Sequence, residues 1–250
     1  MDLQLAGKTA LVTGASAGIG RAIAKGLAVE GVKLCIAARR RGLLEELSAE
    51  IVAGGGLRPQ IVTVDMLAED AARRLTQEAL NGLGQIDILA NCAGGSDAMA
   101  LDAPDEKWAA VLDLNFVRVR QLTLAVLPGM IEHHWGRIIN ITGKSEPTRL
   151  AGATSAKAAL HAFSKGLSRE VGKHGITINC IPPGRIMSEQ IRRKYSEETR
   201  AAQSVKDIPV GRYGEAEELA NLAVFLASPV AGYITGTVMP VDGGLRRYAF

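Results

Sequence analysis

Short apolar runs alternate along the chain with longer segments whose apolar residues recur at helical spacing. The strand-like runs lie at residues 9–12, 33–38, 60–64, 86–90, 137–142, 176–181 and 237–241. The helical segments lie at residues 21–30, 43–53, 68–80, 104–127, 153–172 and 215–227. Strands that are buried on both faces of a parallel sheet read as continuous apolar runs. The alternation therefore predicts an α/β fold, with a doubly wound parallel sheet of about seven strands between two layers of helices.

A single domain accounts for this pattern, because no linker, repeat or low-complexity stretch interrupts it. We therefore predict one domain over residues 1–250. The least regular segment is 184–209, which is charged and follows a predicted strand end. Ligands of doubly wound sheets bind outside the carboxyl ends of the strands. We expect residues 186–209 to form a lid over such a ligand.

A glycine-rich turn directly follows the first predicted strand and leads into the first helix. Residues 13–20 read TGASAGIG, which places Gly14, Gly18 and Gly20 at GxxxGxG spacing. Such a turn lets backbone N–H groups approach a pyrophosphate, and the helix N-terminus that follows favours negative charge. The turn predicts a dinucleotide site, although a tight turn without a ligand would use the same glycines.

The end of the second predicted strand indicates which dinucleotide would bind. NAD sites usually place a carboxylate there, which binds the ribose 2′-hydroxyl. Here the strand ends at Ala38 and is followed by Arg39, Arg40 and Arg41. Because guanidinium groups pair well with phosphate, we predict NADP(H) rather than NAD(H), with Arg39 and Arg40 near the 2′-phosphate. The alternative is that these arginines form a solvated helix start.

Composition narrows the functional classes further. The chain is 47% hydrophobic and has a net charge of +3, which does not suggest nucleic-acid binding. It has no apolar stretch long enough for a membrane span and no signal-like start. Its three cysteines lack metal-ligand spacing and suit a reducing compartment. We expect a cytoplasmic protein without a metal, nucleic-acid or membrane partner.

Further motifs, taken with the glycine turn, resemble the classical short-chain dehydrogenase/reductase family nearly end to end. Residues 91–94 read NCAG where that family has NNAG, and Asn115 lies in the long predicted helix. Residues 183–188 read PGRIMS, which is similar to the family's PGxxxT. The tail over residues 211–244 is similar to that of 3-oxoacyl-carrier-protein reductases.

The resemblance implies a Rossmann-type fold, a nicotinamide cofactor, a small-molecule carbonyl or alcohol substrate, and a homotetramer. It also implies which positions contact the cofactor. These are Gly14, Ser16, Gly18, Ile19, Gly20, Arg39, Arg40, Asp65, Met66, Asn91, Ala93, Gly94, Lys157, Pro183, Gly184, Ile186 and Ser188.

The chain departs from the family in the residues that carry the proton chemistry, which are a serine after strand five and a YxxxK pair on a helix. Lys157 matches the lysine, but Ala153 stands at the tyrosine position. Gly143 stands at the serine position, with Thr142 directly before it. Alanine has no titratable proton, so the usual proton donor is missing.

Other groups could take over the missing role. Thr142 could orient a carbonyl, and Lys144 could donate a proton if burial lowered its pKa. The alternative for Lys144 is an ion pair with Glu146 on the surface. Further groups that could approach the site, each with a purely structural alternative, are Ser145, Tyr195, His161 and Cys92.

We therefore predict an NADP(H)-dependent oxidoreductase acting on a carbonyl/alcohol pair, in which Lys157, Asn115 and Thr142 serve catalysis. The alternative is a catalytically inactive scaffold or partner subunit that still binds the cofactor. A non-redox enzyme on this fold is disfavoured, because the features of the nucleotide site, including Gly14 and Arg39, are kept.

Overall fold

Six parallel strands form one sheet in the computed structural model, which describes residues 1–95, 98–143, 147 and 149–248. The strands are β1 (Thr9–Thr13), β2 (Lys33–Ala38), β3 (Gln60–Thr63), β4 (Ile88–Asn91), β5 (Gly136–Ile141) and β6 (Ile176–Ile181). Their order in the sheet is β3-β2-β1-β4-β5-β6. This is a doubly wound order, and its direction reverses between β1 and β4. The predicted Rossmann-type α/β fold is confirmed.

The described part of the chain contains nine α-helices, of which the first six connect the strands and the last three follow β6. They are α1 (Gly18–Val29), α2 (Arg41–Ala53), α3 (Ala71–Leu83), α4 (Asp105–Leu112), α5 (Arg118–Glu132), α6 (Gly152–Val171), α7 (Glu189–Lys194), α8 (Glu197–Asp207) and α9 (Ala216–Leu226). Short 3₁₀ turns lie at Gly172–His174 and Pro229–Ala231.

Each face of the sheet has its own apolar core, because successive side chains of a strand point to opposite faces. In β1, Ala10 and Val12 pack in a cluster with residues of α1 and α9. Leu11, between them, packs in a second cluster with residues of α3 and α5. Burial on both faces explains why the strand reads as a continuous apolar run.

The predicted seventh strand is not a strand in the described residues, so the count of about seven is corrected to six. Residues 237–241 still run beside β6 through isolated parallel bridges, Cys180 with Val238 and Pro183 with Val241. The ladder is interrupted at Pro182. Its carbonyl accepts from the Val241 N–H at 3.1 Å, but proline has no N–H to donate in return.

The long helix predicted over 104–127 is divided by a π-helical turn at Asp113–Val117, which separates α4 from α5. Helix α5 runs on to Glu132, past Pro128 in its last turns. The helix thus extends five residues beyond the predicted end at residue 127, and His133 is its C-cap.

The segment expected to be irregular contains two capped helices. The Ser188 hydroxyl accepts from the Ile191 N–H at 3.2 Å and begins α7. The Ser196 hydroxyl accepts from the Thr199 N–H at 3.2 Å and begins α8. Serine followed by glutamate is a helix-start signal that the hydrophobic pattern alone does not contain.

Candidate active site

A cavity of 460 Å³ opens at the carboxyl ends of the strands, around the point where the strand order reverses. Four loops and α7 form its walls. The lining residues are Gly14, Ser16, Ala17, Gly18, Ala37, Ala38, Arg39, Arg40, Val64, Asp65, Met66, Leu67, Cys92, Ala93, Gly94, Leu114, Ser188, Glu189 and Arg193. This is where doubly wound sheets bind their ligands.

The three glycines of the turn after β1 serve different purposes. Gly14 has a φ of +64°, and a Cβ there would lie 2.8 Å from the Ala93 nitrogen. A Cβ on Gly20 would collide with the Gly14 carbonyl oxygen. Gly18 has a φ of +55° and open space beside it. A Cβ built on Gly18 would lie 3.8 Å from the Ser188 Cβ. Gly14 and Gly20 thus allow close backbone packing, and Gly18 leaves room at the cavity.

The N-terminus of α1 lies at this cavity, and none of the described side chains caps it. Its N-cap residue is Ala17, and its first turn contains no acidic residue. The first N–H groups of a helix have no partner within the helix, and the helix dipole makes this end positive. The turn therefore suits an anion such as a pyrophosphate. A nicotinamide dinucleotide thus fits this part of the cavity.

The structure distinguishes the three arginines that follow β2. Arg41 forms an ion pair with Glu45 at 2.8 Å on α2 and does not line the cavity. Arg40 lines the cavity and pairs with Glu189 of α7 at 3.0 Å. Arg39 also lines the cavity and has no ion pair among the described residues. Arg39 is therefore the most available cation for a phosphate at this edge.

Some predicted cofactor residues are not among those that line this cavity: Ile19, Gly20, Asn91, Lys157, Pro183, Gly184 and Ile186. Asn91 is buried, and its Nδ2 donates to Asn140 Oδ1 at 2.9 Å. Gly184 lets the backbone of Asp242 approach closely, because a Cβ at position 184 would collide with the Asp242 Cα. Ile186 is buried and bridges to Gly214. These positions support the walls of the site in this structure.

Several lining residues were not predicted from the sequence as contacts of the ligand site, namely Ala17, Leu67, Leu114, Glu189 and Arg193. Cys92, which the sequence analysis considered as a group near the site, also lines the cavity. Glu189 and Arg193 lie four residues apart on α7, so both lie on one face of that helix. Recognising α7 as a helix from its serine cap would have placed them together. Burial raises the pKa of the Cys92 thiol to about 12, so this thiol is protonated and unreactive.

Lys157 and Asn115 meet beside Gly94, a residue of the cavity wall. A Cβ on Gly94 would lie 2.9 Å from Asn115 Oδ1 and 3.4 Å from Lys157 Nζ. Lys157 is buried, and its Nζ donates to the Ile141 carbonyl at 2.9 Å. Burial lowers the pKa of Lys157 to about 8, so the ammonium still predominates at neutral pH. Two of the predicted catalytic groups are thus adjacent.

The π-helical turn holds Asn115 in this position. Asn115 Nδ2 donates to the Val111 carbonyl at 3.0 Å, and Asn115 Oδ1 accepts from the Gly95 N–H at 3.3 Å. Turns of this kind are frequent at functional sites. The turn therefore directs the amide of Asn115 towards the loop after β4.

The third predicted catalytic residue, Thr142, is buried and bonded to α6. Its hydroxyl lies 2.8 Å from His161 Nε2. Burial, followed by the charges of Lys157 and Arg246, lowers the pKa of His161, which favours the neutral ring at neutral pH. His161 is thus linked to the site through Thr142, where the sequence suggested a packed helix interface.

The positions of the missing tyrosine and serine, and Tyr195, which was considered as a substitute, lie within the described residues. Ala153, at the tyrosine position, is buried. Gly143, at the serine position, faces Lys157, and a Cβ built on Gly143 would lie 3.6 Å from the Lys157 Cγ. Tyr195 ends α7 and does not line the cavity. The expectations for Lys144, Ser145 and Glu146 fall outside the described residues.

The described residues contain no group of three or more His, Cys, Asp or Glu side chains that could hold a metal ion. No helix in this part of the chain is both long and apolar enough to cross a membrane.

The doubly wound sheet and the cavity at its switch point define a Rossmann-type α/β protein. The family model described as enoyl-(acyl carrier protein) reductase matches residues 14–246. Together with the relatives below, this match shows that the chain belongs to the short-chain dehydrogenase/reductase family of oxidoreductases. The resemblance inferred from the motifs is therefore confirmed.

Similar proteins agree over nearly the whole chain. The 3-oxoacyl-[acyl-carrier-protein] reductase FabG of Escherichia coli is 39% identical over 243 residues, which cover 96% of this chain and 97% of the relative. The L-sorbose reductase of Gluconobacter frateurii, solved with NADPH and L-sorbose, has a TM-score of 0.93 at 32% identity and covers 99% and 100% of the two chains. A 7α-hydroxysteroid dehydrogenase, solved with NADH and 7-oxo glycochenodeoxycholic acid, has a TM-score of 0.92 at 30% identity and covers 97% and 96%.

Proposed function

We propose that the protein is an NADP(H)-dependent oxidoreductase that interconverts a small-molecule carbonyl and its alcohol. The observation that carries this proposal is one cavity with three features. Among the described residues, it combines an uncapped helix N-terminus at Gly18, an arginine without an ion pair at position 39, and a wall beside which Lys157 and Asn115 meet. The first two features suit a phosphorylated dinucleotide. The third feature places the ammonium group of Lys157 beside the same cavity.

The bound coenzyme would supply or accept a hydride. Residues of the glycine turn would hold its pyrophosphate, Arg39 its 2′-phosphate, and Lys157 its nicotinamide ribose. Carbonyl reduction adds a hydride to carbon and a proton to oxygen, and the oxygen carries negative charge until the proton arrives. The Lys157 ammonium would stabilise that charge, because opposite charges interact strongly where water is excluded.

The proton reaches the oxygen by a route that does not use a phenol at position 153. Asn115, which is held by Val111 and Gly95, would position a water molecule next to Lys157. Thr142, bonded to His161, would orient the substrate side of the site. This water molecule would be a weaker proton donor than a phenol. General acid catalysis, which typically raises a rate by about 10²- to 10⁴-fold, would therefore contribute less here.

A second function is favoured by one specific observation, the alanine at position 153. A cofactor-binding scaffold or partner subunit would keep the cavity and lose the proton donor. NADPH binding without oxidation against a panel of ketones, oxoacyl thioesters and quinones would support the scaffold. Oxidation that is lost in Lys157→Ala would support the enzyme.

The cofactor proposal is tested by titration calorimetry with NADPH and NADH. We expect wild type to bind NADPH more tightly, and Arg39→Asp to reverse the order, with NADPH weakened at least about tenfold through loss of a charge-assisted contact. Arg41→Asp is the matched control, because Arg41 pairs with Glu45 outside the cavity. An unchanged preference in Arg39→Asp, or absence of binding by either coenzyme, would contradict the proposal.

A further inference from the structure

An ion pair between α7 and the loop after β2 spans the cavity wall. Arg40 Nη1 lies 3.0 Å from Glu189 Oε2 and 3.4 Å from Glu189 Oε1. Both residues line the cavity, and they are 149 positions apart in the chain. Glu189 is the first residue of α7, directly after Ser188, the N-cap of that helix.

This carboxylate lies at the part of the site that the proposed function assigns to a phosphate. Arg40 is adjacent to Arg39, and both follow the end of β2. A 2′-phosphate held there carries the same sign of charge as Glu189. Both side chains are about half exposed, 49% for Arg40 and 59% for Glu189. Exposed pairs of this kind are weak, so a ligand with greater charge can replace one partner.

We propose that Glu189 is a specificity-determining residue that occupies Arg40 in place of phosphate and disfavours the phosphorylated coenzyme. The inference rests on the proposed NADP(H) function. NADP(H) must displace Glu189 from Arg40, whereas NAD(H), with a 2′-hydroxyl at this position, leaves the pair intact. Glu189 therefore lowers the preference for NADP(H) that the arginines create.

The experiment compares the dissociation constants of NADPH and NADH, measured by calorimetry at low salt, for wild type and Glu189→Gln. The substitution keeps the shape and removes the charge. We expect NADPH to bind about three- to tenfold more tightly and NADH to change by less than about twofold, which is the size expected of an exposed charge near a phosphate. Glu45→Gln is the matched control, because it removes an exposed carboxylate paired with Arg41 away from the cavity.

A double variant shows whether Glu189 acts through Arg40. In an Arg40→Gln background, the additional change Glu189→Gln should alter NADPH affinity by less than about twofold. An equal gain for both coenzymes in Glu189→Gln, weaker NADPH binding, or an undiminished gain in the Arg40→Gln background would overturn the inference. Failure of wild type to bind either coenzyme would instead overturn the proposed function, so the two failures are distinguishable.

Discussion

At the scale of single residues, Lys157 keeps its place although its usual partner is absent. The ammonium is buried, holds the Ile141 carbonyl and lies beside Asn115 at Gly94. Burial lowers the pKa of Lys157 to about 8. A cation kept in this position would lower the pKa of a phenol placed one helical turn before it, because the two positions are neighbours on α6. The site therefore retains half of a YxxxK pair.

This geometry predicts that a tyrosine can be restored. Ala153→Tyr should raise the rate of NADPH oxidation with a reducible ketone by about 10²-fold or more, the range of general acid catalysis. Steady-state absorbance measurements check the rate, and Ala153→Phe is the matched control, with nearly the same volume and no proton. Equal rates for the two variants would mean that position 153 does not approach the reacting oxygen. Adding Lys157→Met to the Ala153→Tyr variant should remove the gain.

At the scale of elements, the sequence predicted those helices and strands whose signal is local. The apolar runs identified the six strands of the sheet, and the glycines located the turn before α1. The π-helical turn around Asn115 was not predicted, because nothing in residues 104–127 interrupts the helical periodicity. The interrupted edge beside β6 follows from Pro182, whose missing N–H matters only once its neighbour in the sheet is known.

The residues of the candidate site divide in the same way, into those that have a local signal in the sequence and those that depend on distant parts of the chain. The strand ends indicated Gly14 and Arg39 as cavity residues, because parallel strands bring their carboxyl ends to one edge. The family resemblance implied Asp65 and Gly94, which also line the cavity. The sequence predicted Arg39 and Arg40, but not Arg41, near the 2′-phosphate. It could not separate Arg39 from Arg40, since the ion-pair partner of Arg40, Glu189, lies on a distant element. It also contained no sign of the contact between His161 and Thr142, which depends on how α6 packs against β5.

The turn before α1 gives a stability prediction at this scale. Gly14→Ala should lower the free energy of unfolding by at least about 3 kcal/mol, from the positive φ and from the collision with the loop after β4. Gly7→Ala is the matched control, because Gly7 has a φ of +81° and nothing within 4 Å of a Cβ, so it should cost only about 1 kcal/mol. Urea unfolding measures both. Equal losses would mean that the turn yields without strain.

At the scale of the whole molecule, the cavity and a buried arginine that joins distant parts of the chain lie at opposite ends of the sheet. The cavity lies at the carboxyl ends of the strands. Near the amino end of β5, the buried guanidinium of Arg137 joins three parts of the chain. Its Nη1 donates to the carbonyls of Gly136 at 2.8 Å and Gly175 at 3.0 Å, and its Nε donates to the Ser228 carbonyl at 3.1 Å. The homotetramer implied by the resemblance and the cytoplasmic location expected from the composition stay predictions.

The separation of these two ends predicts that stability can be changed without changing cofactor binding. Burial lowers the pKa of Arg137 to about 10, so its guanidinium is still charged at neutral pH. The guanidinium carbon lies 4.4 Å from the centre of the Trp135 ring. Arg137→Leu leaves the carbonyls of Gly175 and Ser228 without this donor, so we expect a loss of about 3 kcal/mol in the free energy of unfolding.

The control for this change is Arg73→Leu, at a side chain that is 82% exposed, which should alter stability by less than about 0.5 kcal/mol. Urea unfolding and NADPH calorimetry are measured on both variants. Below the unfolding transition, the NADPH dissociation constant of Arg137→Leu should stay within about twofold of wild type, because the guanidinium lies at the far end of β5 from the cavity. A loss of affinity comparable to the loss of stability would show that the two ends are coupled through the sheet.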